Sequence, residues 1–156
     1  PQIFDPFRNA VAGKKVAVIG HFPFAPKALN QAADFYMLER SLNEGDYPDS
    51  AAEYILPECD YVFITGSAFV NKTAPRLLEL SRESFNVVLG PSTPLAPVLL
   101  ENYGVSQVTG MVPTSPLAMF EGLSGTDAGT TMFDWGHRVE LSALGRASKI
   151  ASHAAA

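Results

Sequence analysis

Three kinds of side chain stand where chemistry is feasible. His21, Phe22 and Phe24 directly follow the apolar run at residues 16–19. An imidazole there can donate, accept or ligate, and two rings can stack on a heterocycle. The rings can equally plug the end of a sheet as core. Glu39 closes a second apolar stretch about 20 residues past that turn, where an acid meets ribose hydroxyls in nucleotide-binding folds. It can also be a solvated partner of Arg40. The segment NEGDYPDS supplies Glu44, Gly45, Asp46 and Asp49, with Glu53 just beyond. Carboxylates suit hard cations such as Mg or Ca. Their spacing matches no metal loop, however, and a solvated surface is the plainer reading. Thr65-Gly66-Ser67 and Gly90-Pro91-Ser92-Thr93 place hydroxyls at two strand ends. Amides at helix starts can help such groups hold a carboxylate or phosphate. Ser92 and Thr93 can instead be simple caps.

Several chemistries are disfavoured by what the motifs lack. The first turn, Gly20-His21-Phe22-Pro23-Phe24, has one glycine where a pyrophosphate fold wants G-x-G-x-x-G. Ser67 is not in a G-x-S-x-G elbow, so a nucleophilic triad is unsupported. His21, His137 and His153 are too scattered to imply a metal site. Cys59 is the single cysteine, which rules out an intrachain disulfide and a cysteine-based zinc cluster. It reads as a small buried apolar residue.

The elements that must position these groups follow a regular alternation. Strands are expected at residues 14–20, 35–39, 61–65, 86–90 and 105–112, with an edge strand at 138–141. Helices are expected at 26–33, from the capping-box match Ser50–Glu53 to 56, from Thr73 to 82, from Thr93 to Gly104, and from 115 to 122. Leu77, Leu78 and Leu80 are expected to face the sheet. Runs such as VAVI and YVFIT lack alternation, as central strands covered on both faces do. The pattern is that of a three-layer α/β fold with a mostly parallel, five-stranded sheet and right-handed crossovers. With strand order 3-2-1-4-5, His21-Phe22-Pro23 would lie opposite residues 90–93 across the switch-point crevice.

The chain has 156 residues, one domain by length. The expected division is a linker at 1–13, the domain at 14–141 and a flexible tail at 142–156. Residues 122–136 read as a glycine-rich loop, and no repeat of fixed period is visible. With 47% hydrophobic and 17% charged residues it is globular. A formal charge of −5 without a basic run argues against nucleic acid and anionic membranes as partners. No stretch approaches the ~20 apolar residues of a membrane span. The beginning, which lacks Met and a signal pattern, reads as processed or trimmed. A cytoplasmic location fits these features.

Taken together, GKKVAVIGHFPF, LER followed by EGDYPDSAAEYILPECD, ITGSAFVNKT and GPSTPLAP resemble the Rossmann-like C-terminal domain of the putative heavy-metal-chelation family. The likeness runs over residues 13–141. It implies a Rossmann-like fold and a site facing an enolase-N-terminal-like domain that family members usually carry ahead of this one. On this side the implied site comprises His21, Phe22 and Phe24, then Glu39, and Gly45, Asp46 and Asp49. It continues with Gly66, Ser67 and Asn71, and with Gly90, Ser92 and Thr93. No such preceding domain is visible here, so a homo-oligomer or a partner chain is expected to supply the missing half. The expected function is binding of a small molecule, a metal ion or a metal chelate at the strand carboxyl ends. The alternatives are an enzyme on a nucleotide-like or heterocyclic substrate, methyl transfer included, and a structural half that only docks.

Overall fold

The structure, a computed structural model, describes residues 3–124 and 136–142. Strands β1 (Lys15–Ile19) and β2 (Asp34–Glu39) flank the short helix α1 (Ala25–Ala28). A two-residue strand β3 (Tyr47–Pro48) and helix α2 (Ala52–Ile55) lead into β4 (Tyr61–Thr65). Helices α3 (Ser67–Val70) and α4 (Ala74–Leu80) precede β5 (Phe85–Leu89). Helix α5 (Val98–Asn102), β6 (Gln107–Pro113), α6 (Pro116–Ser124) and β7 (Gly136–Ser142) follow.

The sheet has seven strands, not five, in the order β3-β2-β1-β4-β5-β6-β7. All pairs are parallel except β6–β7. The place outside β2 is taken by Tyr47–Pro48, a dipeptide too short to read as a strand. Tyr61–Thr65 instead lies between β1 and β5, with Val16 paired to Tyr61. This moves the switch point. The first turn now faces the loop after β4, not residues 90–93.

Alternate residues of the central strands feed two cores. Ala17, Ile19, Val62, Ile64 and Val88 join Leu56, Ala68, Leu77 and Leu78 on one face. Val16, Val18, Phe63, Val87 and Leu89 join Ala25, Ala28 and Leu29 on the other. The expected burial of residues 16–19, 62–64 and 87–89 is therefore met on both faces.

Among the described residues, α1 is the one α-helix that packs on that second face, and the amino-terminal stretch packs there beside it. Phe4, Phe7 and Val11 are buried there, with Phe4 and Phe7 edge-on to Phe63 at 5.2 and 5.0 Å. The expectation of a polar linker at 1–13 is corrected for residues 3–13: they are irregular but part of the core. The capping box at Ser50–Glu53 does not form. Residues 49–51 are a 3₁₀ turn without a side-chain cap, and Glu53 binds Arg76 instead. Thr93 starts no helix, since α5 begins five residues later at Val98. The expected loop at 122–136 and tail at 142–156 lie almost wholly outside the described residues.

Candidate functional site

The site begins with how β1 ends. Gly20 sits at φ +104°, a conformation side chains rarely tolerate. A Cβ there would also meet the Thr65 Cβ at 3.1 Å. The chain then turns, and the His21 N–H donates to Glu39 Oε2 at 2.9 Å. The other Glu39 oxygen accepts from the Arg40 N–H at 2.6 Å. Glu39 thus pins the turns after β1 and β2 to one another. Both of its oxygens carry backbone donors.

The His21 ring is fixed as firmly as its backbone. Nδ1 lies 2.9 Å from Asp46 Oδ2. The Asp46 carboxylate is fully enclosed and also accepts from the Asn43 N–H at 3.0 Å and the Asn43 amide at 3.3 Å. Burial alone would raise the Asp46 pKa, but the two Asn43 bonds and the His21 ring outweigh it and hold the carboxyl below its ordinary value. The stabilisation this gives is present above the usual carboxylate range and is lost as pH falls through the lowered folded pKa. An ionised Asp46 accepts a hydrogen bond from the Nδ1–H. In a neutral imidazole that tautomer leaves the Nε2 lone pair free.

Nε2 has no hydrogen-bond partner among the described residues, yet it is not a buried orphan. The single buried polar side-chain atom without a partner there is Thr93 Oγ1. Nε2 therefore opens to solvent, and His21 lines a cleft of about 610 Å³ at the carboxyl ends of β1, β2 and β4. Ile19, Leu38, Ala68, Leu77 and Leu80 form its apolar wall. Its rim is charged but mostly self-neutralised. Arg40 pairs with Asp49 at 3.2 Å, and Arg76 pairs with both Glu53 and Glu79. Lys72, also on the lining, has no ion pair among the described residues. It is held at φ +68°, the single non-glycine residue with positive φ among them.

Six of the expected site residues line this cleft: His21, Phe22, Glu39, Asp49, Ser67 and Asn71. Asp46 stands behind His21 and acts through it. Phe24 and Gly45 are off the lining, and Phe24 packs 5.7 Å from Phe4 in the aromatic cluster. Phe22 serves both places, edge-on to Phe4 at 5.5 Å. Gly90, Ser92 and Thr93 do not reach the cleft either. They pack behind Gly66, where a Cβ would meet Thr93 N at 2.3 Å. Asp46, Asp49 and Glu53 diverge to separate partners, and no group of three or more candidate metal ligands occurs among the described residues. Cys59 is buried as expected, its thiol donating to the Ile55 carbonyl at 3.3 Å. Sequence reasoning missed Arg40, Lys72 and Arg76, and the pairing of His21 with Asp46. A lysine in the left-handed region carries no sequence signal. No described helix is long and apolar enough to cross a membrane.

The fold is shared with known proteins. An uncharacterized protein of Methanocaldococcus jannaschii is 29% identical over 101 residues, covering 61% of this chain and 39% of the relative. A crystal structure of a protein of unknown function from Desulfitobacterium hafniense superposes with TM-score 0.80 at 44% identity. It covers 87% of this chain and 55% of that one. A second, from Pyrococcus horikoshii, superposes with TM-score 0.77 at 22% identity, covering 91% and 59%. This chain thus spans only about 39 to 59% of the length of these relatives. Both solved proteins come from the DUF364 family. The sequence pattern of that family, described as putative heavy-metal chelation, matches residues 2–139, and the chain belongs to it.

Proposed function

We propose that this domain binds a small ligand or metal chelate in the cleft at the carboxyl ends of β1, β2 and β4. One observation carries the reading. His21, held at both its backbone N–H and Nδ1, lines a cleft of about 610 Å³. That volume is within the usual range for small-molecule pockets. A carboxylate on Nδ1 fixes the orientation of the ring, as it does behind many ligating histidines. The family's description supports a metal-containing ligand.

A second reading rests on the same dyad. A neutral imidazole backed by a carboxylate is also a general base. An enzyme acting on a nucleotide-like or heterocyclic substrate would use it to take a proton. Dependence of turnover on His21 would favour this reading, whereas tight binding without turnover favours the first.

Native mass spectrometry with elemental analysis tests the binding role, using protein as purified. Ser67 lines the cleft and is exposed, so Ser67→Trp should fill the space without disturbing the core. A small molecule retained by wild type and lost from Ser67→Trp is the expected result. Identical adducts on both proteins would overturn the reading. We further propose that the exposed apolar residues Tyr54, Val70, Leu117 and Phe120 are covered by a second copy or a partner chain. A monomer by sedimentation at tens of micromolar, roughly where weak interfaces form, would count against that.

A further inference from the structure

Resting on that reading of the cleft, we propose that it takes a transition metal already held by an anionic, multidentate organic chelator. His21 Nε2 is the one protein donor to the metal, and Lys72 faces the chelator's negative edge. The family's description would lead one to expect a protein-built cage for a bare ion, and the donor set does not fit a cage. Each acid near the cleft is committed elsewhere. Glu39 accepts two backbone N–H groups. Asp46 is taken by Asn43 and His21, Asp49 by Arg40 and Glu53 by Arg76. No group of three candidate ligands occurs among the described residues.

What the cleft lining does hold is one histidine whose Nδ1 is already engaged by Asp46. A carboxylate on the far ring nitrogen fixes tautomer and orientation, as in carboxylate–histidine–metal arrangements. Imidazole nitrogen suits the later first-row metals. Such a metal, held on most sides by a chelator, has one or two positions left for it. The space agrees with this stoichiometry. A bare ion does not need about 610 Å³ walled by Ile19, Leu38, Leu77 and Leu80, but the organic part of a chelate can fill it. Lys72 completes the complementarity. Its ammonium lacks an ion pair among the described residues, and its backbone is held at φ +68° on the cleft lining.

Nickel nitrilotriacetate is a suitable probe, since its complex is anionic and leaves coordination positions open. Titration calorimetry on untagged protein should find a site that His21→Gln abolishes. Asp46→Asn should weaken it about 10- to 100-fold, the usual effect of removing a partner behind a ligating histidine. Lys72→Met should weaken it by up to about 5-fold, with the loss disappearing at high salt. Bare nickel should bind His21→Gln and wild type alike. Thermal melts identify any variant that has unfolded, and Lys72→Met at an exposed position provides an independent arm. Equal affinity of the chelate for wild type and His21→Gln would overturn the inference. So would bare nickel binding through two or more protein donors including His21. If a co-purified molecule is lost from Ser67→Trp but is indifferent to His21→Gln, the cleft reading stands and this inference falls.

Discussion

Gly66→Ala should be among the most damaging single-methyl additions near the cleft. Its backbone is ordinary, at φ −56°, so the cost is one of space alone. The added Cβ would lie 2.3 Å from Thr93 N, 2.6 Å from Ser92 C and 2.8 Å from Thr93 Cα. Normal heavy-atom contacts are near 3.5 Å, so backbone must move roughly 1 Å. Neither side can yield easily. The Gly66 N–H is bonded to the Leu89 carbonyl at 2.8 Å, and the Thr93 N–H to the Gly90 carbonyl at 3.1 Å. Overpacking typically costs about 1–3 kcal/mol, and a backbone-on-backbone clash belongs at the top of that range. For a domain of this size, about 3 kcal/mol lowers Tm by about 6–12 °C. Gly45→Ala is the control, because nothing lies within 4 Å of its Cβ and only φ +88° opposes it. It should cost about 1 kcal/mol. Thermal melts followed by circular dichroism measure both. A Gly66→Ala Tm within about 2 °C of wild type would refute the close packing of the β4 and β5 loops.

Glu39→Gln should destabilise by about 1.5 kcal/mol, because one amide oxygen cannot serve both the His21 and Arg40 N–H groups. An unchanged melt with weaker ligand binding would instead mark Glu39 as a ligand contact alone. Cys59 should resist thiol reagents at pH 8, since burial first, then the Asp60 charge, pushes its thiol up to about 12. The stability it contributes is complete below the free thiol value and is lost as pH rises from about 9 toward 12. Rapid labelling of native protein would contradict this. Lys72→Gly should raise stability by about 0.5–1 kcal/mol, the left-handed strain relieved less the added freedom of the unfolded chain. A lower Tm would show that the lysine side chain itself supports the loop.

The central strands were legible because burial on both faces leaves uninterrupted apolar runs, as in VAVI and YVFIT. Their neighbours were harder to read. Tyr47–Pro48 carries no strand signal, since proline cannot donate to the ladder and two residues show no period. Leaving it out displaced Tyr61–Thr65 to the wrong side of β1 and set the first turn against residues 90–93. Phe4, Phe7 and Val11 were hidden among Pro, Asp, Arg and Asn. Their burial follows from packing on a sheet face where, among the described residues, α1 is the one α-helix, which is a tertiary fact. Of the residues that line the cleft, His21, Glu39 and Ser67 were legible because each closes or follows an apolar strand run. The clamp of His21 by Asp46 bridges 25 residues and depends on β1, β2 and β3 lying side by side. No local motif encodes it.

The central claim is that the cleft beside His21 is where this domain takes its ligand. Amide chemical-shift mapping tests it most directly, with a mixture of carboxylate, heterocycle and metal-chelate fragments titrated into ¹⁵N-labelled protein. The account predicts that the amides of His21, Ser67, Lys72 and Arg76 move together and saturate together, and that Ser67→Trp abolishes the response. Saturable shifts confined to other surfaces, such as that around Leu117 and Phe120, with the His21 amide unmoved, would contradict it.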